Sequence, residues 1–255
     1  MQANLDKLIK ISVIIPTFNE EFYIRNTILA IKKQKCDIPY EIFVSDGQST
    51  DNTVNVAKTL ANVVISPQRG KSYQLNYIVP KTSGEILVFL DADTIIPPRF
   101  LQKIYSIFQK RKKLLACSAR FKYTNGRHHS LKIGPIKFTL TTYFFQNFGI
   151  NLFYFMRTLL RYPELSGCNI IVRRDIFLKI GGFKNPPKSY GIDRVFSDSI
   201  LFLIKKIKYG KIKTLTFLSV LTSGRKLSIK RGLSRYYQYH SKKKVYSELT
   251  SNINV

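Results

Sequence analysis

Ile86-Leu87-Val88-Phe89-Leu90-Asp91-Ala92-Asp93-Thr94 is the stretch that decides how the rest of the 255 residues fold. Residues 86–90 form a short apolar run, the pattern of a fully buried strand. Two carboxylates one residue apart follow it, at the strand end where open α/β sheets hold their ligands. In an extended segment Asp91 and Asp93 point to the same side. Hard oxygen donors, few in number, suit a divalent ion whose shell is completed by a diphosphate and water. A loop with two solvated acids is the plain alternative, and the charge pattern weighs against it. The chain carries 15 Asp and Glu against 42 Lys and Arg, a net charge of +27. No acid lies between Asp93 and Glu164, and only Glu248 follows Asp198. In so basic a chain, acids kept at strand ends are more readily explained by a task than by solubility.

Upstream of this strand the pattern alternates. Ile11 to Ile15 is a β-branched strand, and Asn19 can cap a helix reaching about Gln34. Glu20 and Glu21 fall in its first turn, where the helix dipole favours negative charge, and Ile24, Ile28 and Ile31 give it an apolar face. Glu41 to Val44 reads as a second strand ending in Ser45-Asp46-Gly47, and Ser49 to Asp51 open a second helix with Val54, Ala57 and Leu60 as its stripe. Asn62 to Ser66 is a third strand, Ser72 to Val79 a third helix, and Glu85 to Leu90 the fourth strand. This βαβαβαβ rhythm predicts an α/β fold, a mostly parallel sheet with helices on both faces.

Downstream the rhythm loosens. Pro97-Pro98 start a helix to about Lys110, and Leu114 to Arg120 is a strand. Tyr123 to Gly134 reads as a loop, and Phe138 to Leu160 as a helix with Phe145, Phe148, Leu152, Phe155 and Leu159 on one side. Asn169 to Val172 is a strand and Asp198 to Lys208 a helix. The expected division is one domain over 1–224, with a nucleotide-binding half (11–94) and an acceptor half (95–224), followed by a basic C-terminal extension (225–255).

Composition bounds the setting. Cys36, Cys117 and Cys168 are widely spaced and odd in number, so they form no complete disulfide framework, and a reducing cytoplasm fits. The apolar run at Ile11 is too short for a secretory signal, and no 18-residue apolar span occurs. The expectation is a cytoplasmic protein that can sit at the inner face of a membrane. The charge calls for an anionic partner: nucleic acid, an anionic membrane surface or a phosphorylated substrate. Thirteen basic residues lie between Asp93 and Glu164 and thirteen after Asp198. That spread argues against a simple nucleic-acid-binding tail.

Several motifs together resemble the family 2 glycosyltransferases. Ser12-Val13-Ile14-Ile15-Pro16-Thr17-Phe18-Asn19-Glu20 is similar to their opening strand, and Asp46-Gly47-Gln48-Ser49-Thr50-Asp51-Asn52-Thr53 to their second motif. Gly70-Lys71, Gly84-Glu85 and Asp91-Ala92-Asp93 complete the nucleotide-binding half. Gly167 to Arg174 and Gly181-Gly182-Phe183 resemble the acceptor-side region. The resemblance covers roughly residues 11 to 210 and implies a GT-A type fold, a nucleoside-diphosphate sugar donor and Mg²⁺ or Mn²⁺. It implies that Pro16, Thr17 and Glu20 line the base and ribose pocket and that Asp46 accepts a hydrogen bond from the base. Lys71 would meet the base or the phosphates, Asp91 the ribose or a metal-bound water, and Asp93 the metal itself.

An inverting transfer needs a carboxylate to take the acceptor's proton. The family's Glu-Asp pair is matched here by Ser197-Asp198, which makes Asp198 the expected base and Asp193 its rival. A lipid phosphate acceptor, already ionised, would leave Asp198 to orient or to bind metal. His240 is the C-terminal candidate for a further metal ligand, although its setting, Tyr236 to Lys242, reads more as an amphipathic surface segment, while His128 and His129 lie in a basic stretch and read as solvated. A polyprenyl-linked acceptor and an anionic membrane surface are the expected further partners. The competing readings are a basic nucleic-acid-binding protein and a non-catalytic nucleotide-sugar-binding domain. No helix-turn-helix, zinc or RNP pattern supports the first, and the presence of Asp91, Asp93 and Asp198 argues against the second.

Overall fold

The computed structural model describes residues 10–124, 164–186 and 191–225, with the backbone of 128–133 and 136–141 and residues 147–149, 152 and 156. Its strands are β1 (Ile11–Thr17), β2 (Tyr40–Asp46), β3 (Asn62–Ile65), β4 (Ile86–Leu90), β5 (Thr94–Ile95), β6 (Leu114–Tyr123), β7 (His128–Ile133), β8 (Ile136–Thr141), β9 (Asn169–Arg173) and β10 (Lys211–Thr222). Helices α1 (Glu21–Lys32), α2 (Thr53–Lys58), α3 (Lys71–Ile78), α4 (Phe100–Lys110), α5 (Arg174–Lys179) and α6 (Ile192–Ile207) connect them.

Eight strands share one sheet in the order β3-β2-β1-β4-β9-β6-β10-β5. β1 runs parallel to β2 and β4, and β2 to β3. β9 is inserted antiparallel between β4 and β6, while β10 runs parallel to β6. The α/β, mostly parallel architecture expected from the sequence is therefore present.

The side-chain period of two sorts the strands onto two cores. Ile86, Val88 and Leu90 of β4 face one layer with Ile24, Ile28 and Ile31 of α1 and Phe100, Ile104 and Phe108 of α4. Leu87 and Phe89 face the other, with Leu75 and Ile78 of α3, Phe177 of α5 and Phe196, Ile200 and Leu203 of α6. All five β4 residues are buried, which is why the strand reads as an unbroken apolar run. At its entrance Gly84 donates its N–H to Ser12 Oγ at 2.8 Å. A Cβ there would lie 2.6 Å from the Ile11 carbonyl carbon, so glycine sets the spacing of β1 and β4.

Three expectations change. Residues 136–141 form a strand, not the start of a helix: Phe138 pairs with Leu131 across the β7–β8 ladder. Ile136, Phe138 and Leu140 also fit a period of two, and that period wins here. Residues 147–149, 152 and 156 are helical as expected, and the rest of Phe138–Leu160 lies outside the described residues. The stretch 123–134, expected as a loop, instead ends β6 at Tyr123 and supplies β7. Finally, α6 begins at Ile192 rather than at Asp198, so Asp193 and Asp198 share one helix. The sequence also hid α5 and β10. Among the described residues no helix is long and apolar enough to cross a membrane. Of the expected extension 225–255, Arg225 alone is among the described residues, and the rest, with His240, lies outside them.

Candidate active site

The carboxyl ends of β1 and β4 open onto a cleft of about 790 Å³. Pro16, Thr17 and Glu20 line it from β1 and the turn that follows, Lys71 from the start of α3, and Asp91 and Asp93 from beyond β4. The opposite wall comes from Gly167 and Cys168 before β9, Tyr123 at the end of β6, Asp193 on α6 and Thr222 at the end of β10. The antiparallel β9 explains the convergence, because its beginning lies beside the end of β4: Asn169 is in register with Leu90.

Lys71 sits at the centre of the charges. Gly70 adopts φ +131, a conformation that favours glycine, and turns the chain into α3 so that Lys71 points inward. Its ammonium forms an ion pair with Asp91 and donates to the Gly167 carbonyl at 2.9 Å. Burial alone would lower its pKa, but the charge and hydrogen bond of Asp91 and the charge of Asp193 outweigh it and hold the pKa above the ordinary value. Asp193 is pushed the other way. Burial raises its carboxyl above the usual range, against the opposing pull of Lys71 and of the Asp193 and Gly167 backbone N–H groups, while Asp91 adds to the rise. Gly167 and Gly191 make room for it: a Cβ at Gly167 would lie 3.0 Å from Asp193 Oδ2, and one at Gly191 would overlap Oδ1.

Asp93 Oδ1 accepts a hydrogen bond from Thr222 Oγ1 at 3.3 Å, and Oδ2 lies 3.4 Å from Arg225 Nε. The same guanidinium forms an ion pair with Glu20 and lies 4.0 Å from the Tyr23 ring centroid. The turn holding Asp93 is braced from α1, where Thr27 Oγ1 donates to the Ala92 carbonyl at 2.7 Å.

Two expected residues stand outside the cleft lining. Asp46 is fully buried. Its Oδ1 accepts from Thr17 Oγ1 at 2.9 Å and from Ser49 Oγ at 2.6 Å, and its Oδ2 from the Ser49 N–H at 2.8 Å. It thus fixes the turn after β2 and holds Thr17, where direct contact with a base was expected. Asp198 is held by Arg194, whose Nε lies 2.7 Å from Oδ2 and whose Nη1 lies 3.1 Å from Glu164 Oε2. The rival Asp193 faces the cleft in its place.

Residues that the sequence reading passed over complete the site. Gln74 is buried, lines the cleft and donates Nε2 to the carbonyls of Thr17 (2.7 Å) and Ser45 (2.8 Å), tying β1 to β2. Its place one helical turn after Lys71 was the available signal. Thr222 and Arg225 carried none, because they depend on the pairing of β10 with β6.

The donor set can be tested against a divalent ion. Among the described residues no group of three or more His, Cys, Asp and Glu side chains could hold a metal. Asp91 and Asp93 offer two carboxylates on one open cleft. That is the number Mg²⁺-type sites use when substrate phosphates and water complete the shell, so the residues fit.

Comparison with known proteins bears on the family and the fold. Beta-monoglucosyldiacylglycerol synthase of Nostoc sp. is 26% identical over 201 residues, 73% of this chain and 40% of the relative. The matches span 30%, 40% and 35% of the length of the first three curated relatives. Among solved structures, S. aureus TarS 1–349 superposes with a TM-score of 0.63 at 19% identity, covering 97% of this chain and 67% of that one. The mannosyltransferase PcManGT from Pyrobaculum calidifontis, solved with GDP-Man and Mn²⁺, gives 0.62 at 21% identity, covering 92% and 65%. The two structures share the fold of the cleft-bearing sheet. Glycosyl transferase family 2 itself matches residues 12–181, from β1 through β9 to the end of α5, and the chain belongs to that family.

Proposed function

We propose that this chain transfers a sugar from a nucleoside-diphosphate sugar to an acceptor hydroxyl with inversion, assisted by a divalent ion. The observation that carries the reading is the placement of Asp91 and Asp93 in the same cleft as Asp193, with Lys71 beside them. Family membership supports the reaction class. Asp93, with Asp91, would hold Mg²⁺ or Mn²⁺, which when bound supplies charge neutralisation of the leaving diphosphate. Pro16, Thr17 and Glu20 form the wall for the nucleoside, with Asp46 holding Thr17 in place. Lys71 keeps its charge against burial and orients Asp91.

Asp193 is the proposed base in place of Asp198. Its Oδ takes the acceptor's hydroxyl proton as the acceptor oxygen bonds to the anomeric carbon. The bond from that carbon to the diphosphate breaks, and the diphosphate leaves with the electron pair. A pKa raised by burial makes a carboxylate a better proton acceptor near neutrality.

The acceptor is proposed to be lipid-linked, a polyprenyl phosphate sugar or a related glycolipid. Support comes from the Nostoc relative, whose name identifies a diacylglycerol product, and from the chain's +27 charge, which suits an anionic surface. The test is binding of radiolabelled UDP- and GDP-sugars with Mn²⁺ and with EDTA, followed by turnover. Binding that rises with Mn²⁺ and is lost in Asp93→Ala is expected. Metal-independent binding, or near wild-type transfer by Asp93→Ala, would sink the reading.

A further inference from the structure

Arg225 lies beyond residues 12–181, which the family matches, yet its side chain reaches Glu20 and Asp93, two residues that line the cleft. Three contacts hold it there. It forms an ion pair with the buried Glu20, its guanidinium covers the Tyr23 ring at 4.0 Å, and its Nε lies 3.4 Å from Asp93 Oδ2. The third contact is the loose one, for Nε is buried and makes no hydrogen bond. The arginine is thus anchored on α1 and its entry turn and leans on Asp93. Asp93 is itself largely buried, 9% exposed at its side chain, so the guanidinium charge beside it is poorly screened.

A cation at that distance stands where a second cation would have to approach the same carboxylate oxygen. We propose that Arg225 is a tethered counter-ion that neutralises Asp93 while the donor site is empty and must withdraw from it when a divalent ion binds. The turn after β10 then opposes metal binding until the diphosphate adds its own charge, and the site discriminates metal–nucleotide from metal alone. This rests on the reading of Asp93 as a metal carboxylate.

The experiment is Mn²⁺ titration of the full chain, followed by the electron paramagnetic resonance of the free ion, with and without UDP or GDP. Arg225→Gln is expected to bind Mn²⁺ on the order of five-fold more tightly than wild type without nucleotide, as for loss of one charge contact. With nucleotide present the difference should shrink. Tyr23→Leu, which removes the stacking support and leaves Asp93 untouched, should move in the same direction by less. It decides the matter if Arg225→Gln does not fold, as judged by thermal unfolding. Asp93→Asn should abolish binding in every background. A folded Arg225→Gln, or failing that Tyr23→Leu, whose Mn²⁺ affinity is unchanged or weaker would overturn the counter-ion role, while nucleotide-assisted binding by wild type would leave the metal site standing. Absence of Mn²⁺ binding by every form, with or without nucleotide, would overturn both.

Discussion

On α6 the carboxylates of Asp193 and Asp198 meet different surroundings, and chemistry follows from the difference. Asp198 shares Arg194 with Glu164, an arrangement suited to orienting a helix. Asp193 is half-buried, packed against two glycines, and desolvation raises its pKa. Asp193→Asn should lower kcat by roughly 10²- to 10⁴-fold, the range for a positioned base, while donor binding survives. Asp198→Asn should cost much less, and a larger loss for Asp198→Asn than for Asp193→Asn in single-turnover assays would reverse the assignment. The pH dependence has a definite sign. A folded-state pKa above the unfolded one means that ionising Asp193 opposes folding, so its contribution is complete at acid pH and is lost as pH rises through the raised pKa. Asp193→Asn should therefore melt higher than wild type near neutrality and match it below the ordinary carboxylate range. Thermal unfolding across that window checks it. The sequence pointed to Asp198 because Ser197-Asp198 matches the Glu-Asp pair that opens a helix in the family it resembles. With the start at Ile192, the first turn belongs to Asp193.

Strands and helices meet at the cleft through a few buried polar ties, and Gln74 is the one most exposed to test. Its side-chain nitrogen serves carbonyls of β1 and β2, and its main-chain carbonyl accepts from Ser45 Oγ at 2.8 Å. Gln74→Ala leaves two buried carbonyls without that donor and should destabilise the fold by about 1–3 kcal/mol, measurable by urea unfolding. A change below about 0.5 kcal/mol would mean that water replaces the amide. The first four strands and three helices were legible from sequence because each βα unit is local and its apolar period is clean. β10 was not. Lys211, Lys213 and Thr216 face outward and dilute its apolar character, and its pairing with β6 joins residues about a hundred positions apart. For the same reason the meeting of Pro16, Thr17, Glu20, Lys71, Asp91 and Asp93 in one cleft was foreseeable, whereas that of Thr222 and Arg225 with it was not.

Across the whole molecule, positive charge among the described residues gathers at the end of the sheet away from the cleft. The starts of β6 and β10 lie side by side, Lys211 N–H donating to the Lys113 carbonyl at 2.8 Å. Lys110, Arg111, Lys112, Lys113, Lys205, Lys206, Lys208, Lys211 and Lys213 are all exposed at that end. The cleft is at the other end, roughly 30 Å away at 3.3 Å per strand residue. The sequence continues from Arg225 at the cleft end with Lys226, Lys230, Arg231 and Arg235. If a lipid-borne acceptor is used, that end must face the bilayer. Neutralising those four residues to Gln should then weaken low-salt sedimentation with phosphatidylserine vesicles more than neutralising Lys112, Lys113, Lys205 and Lys206, at about 1 kcal/mol per charge. The reverse order would turn the cleft away from the membrane and point to an acceptor in solution. The place of β9 in the sheet has a further consequence during synthesis. β4 is apolar throughout, and the strand that covers its second edge is made about eighty residues later. At roughly 5–20 residues per second the nascent chain carries that open, sticky edge for several seconds. Crowded expression should therefore lose this protein to inclusion bodies through β4, and slower growth at low temperature or a holdase bound at the ribosome should recover it.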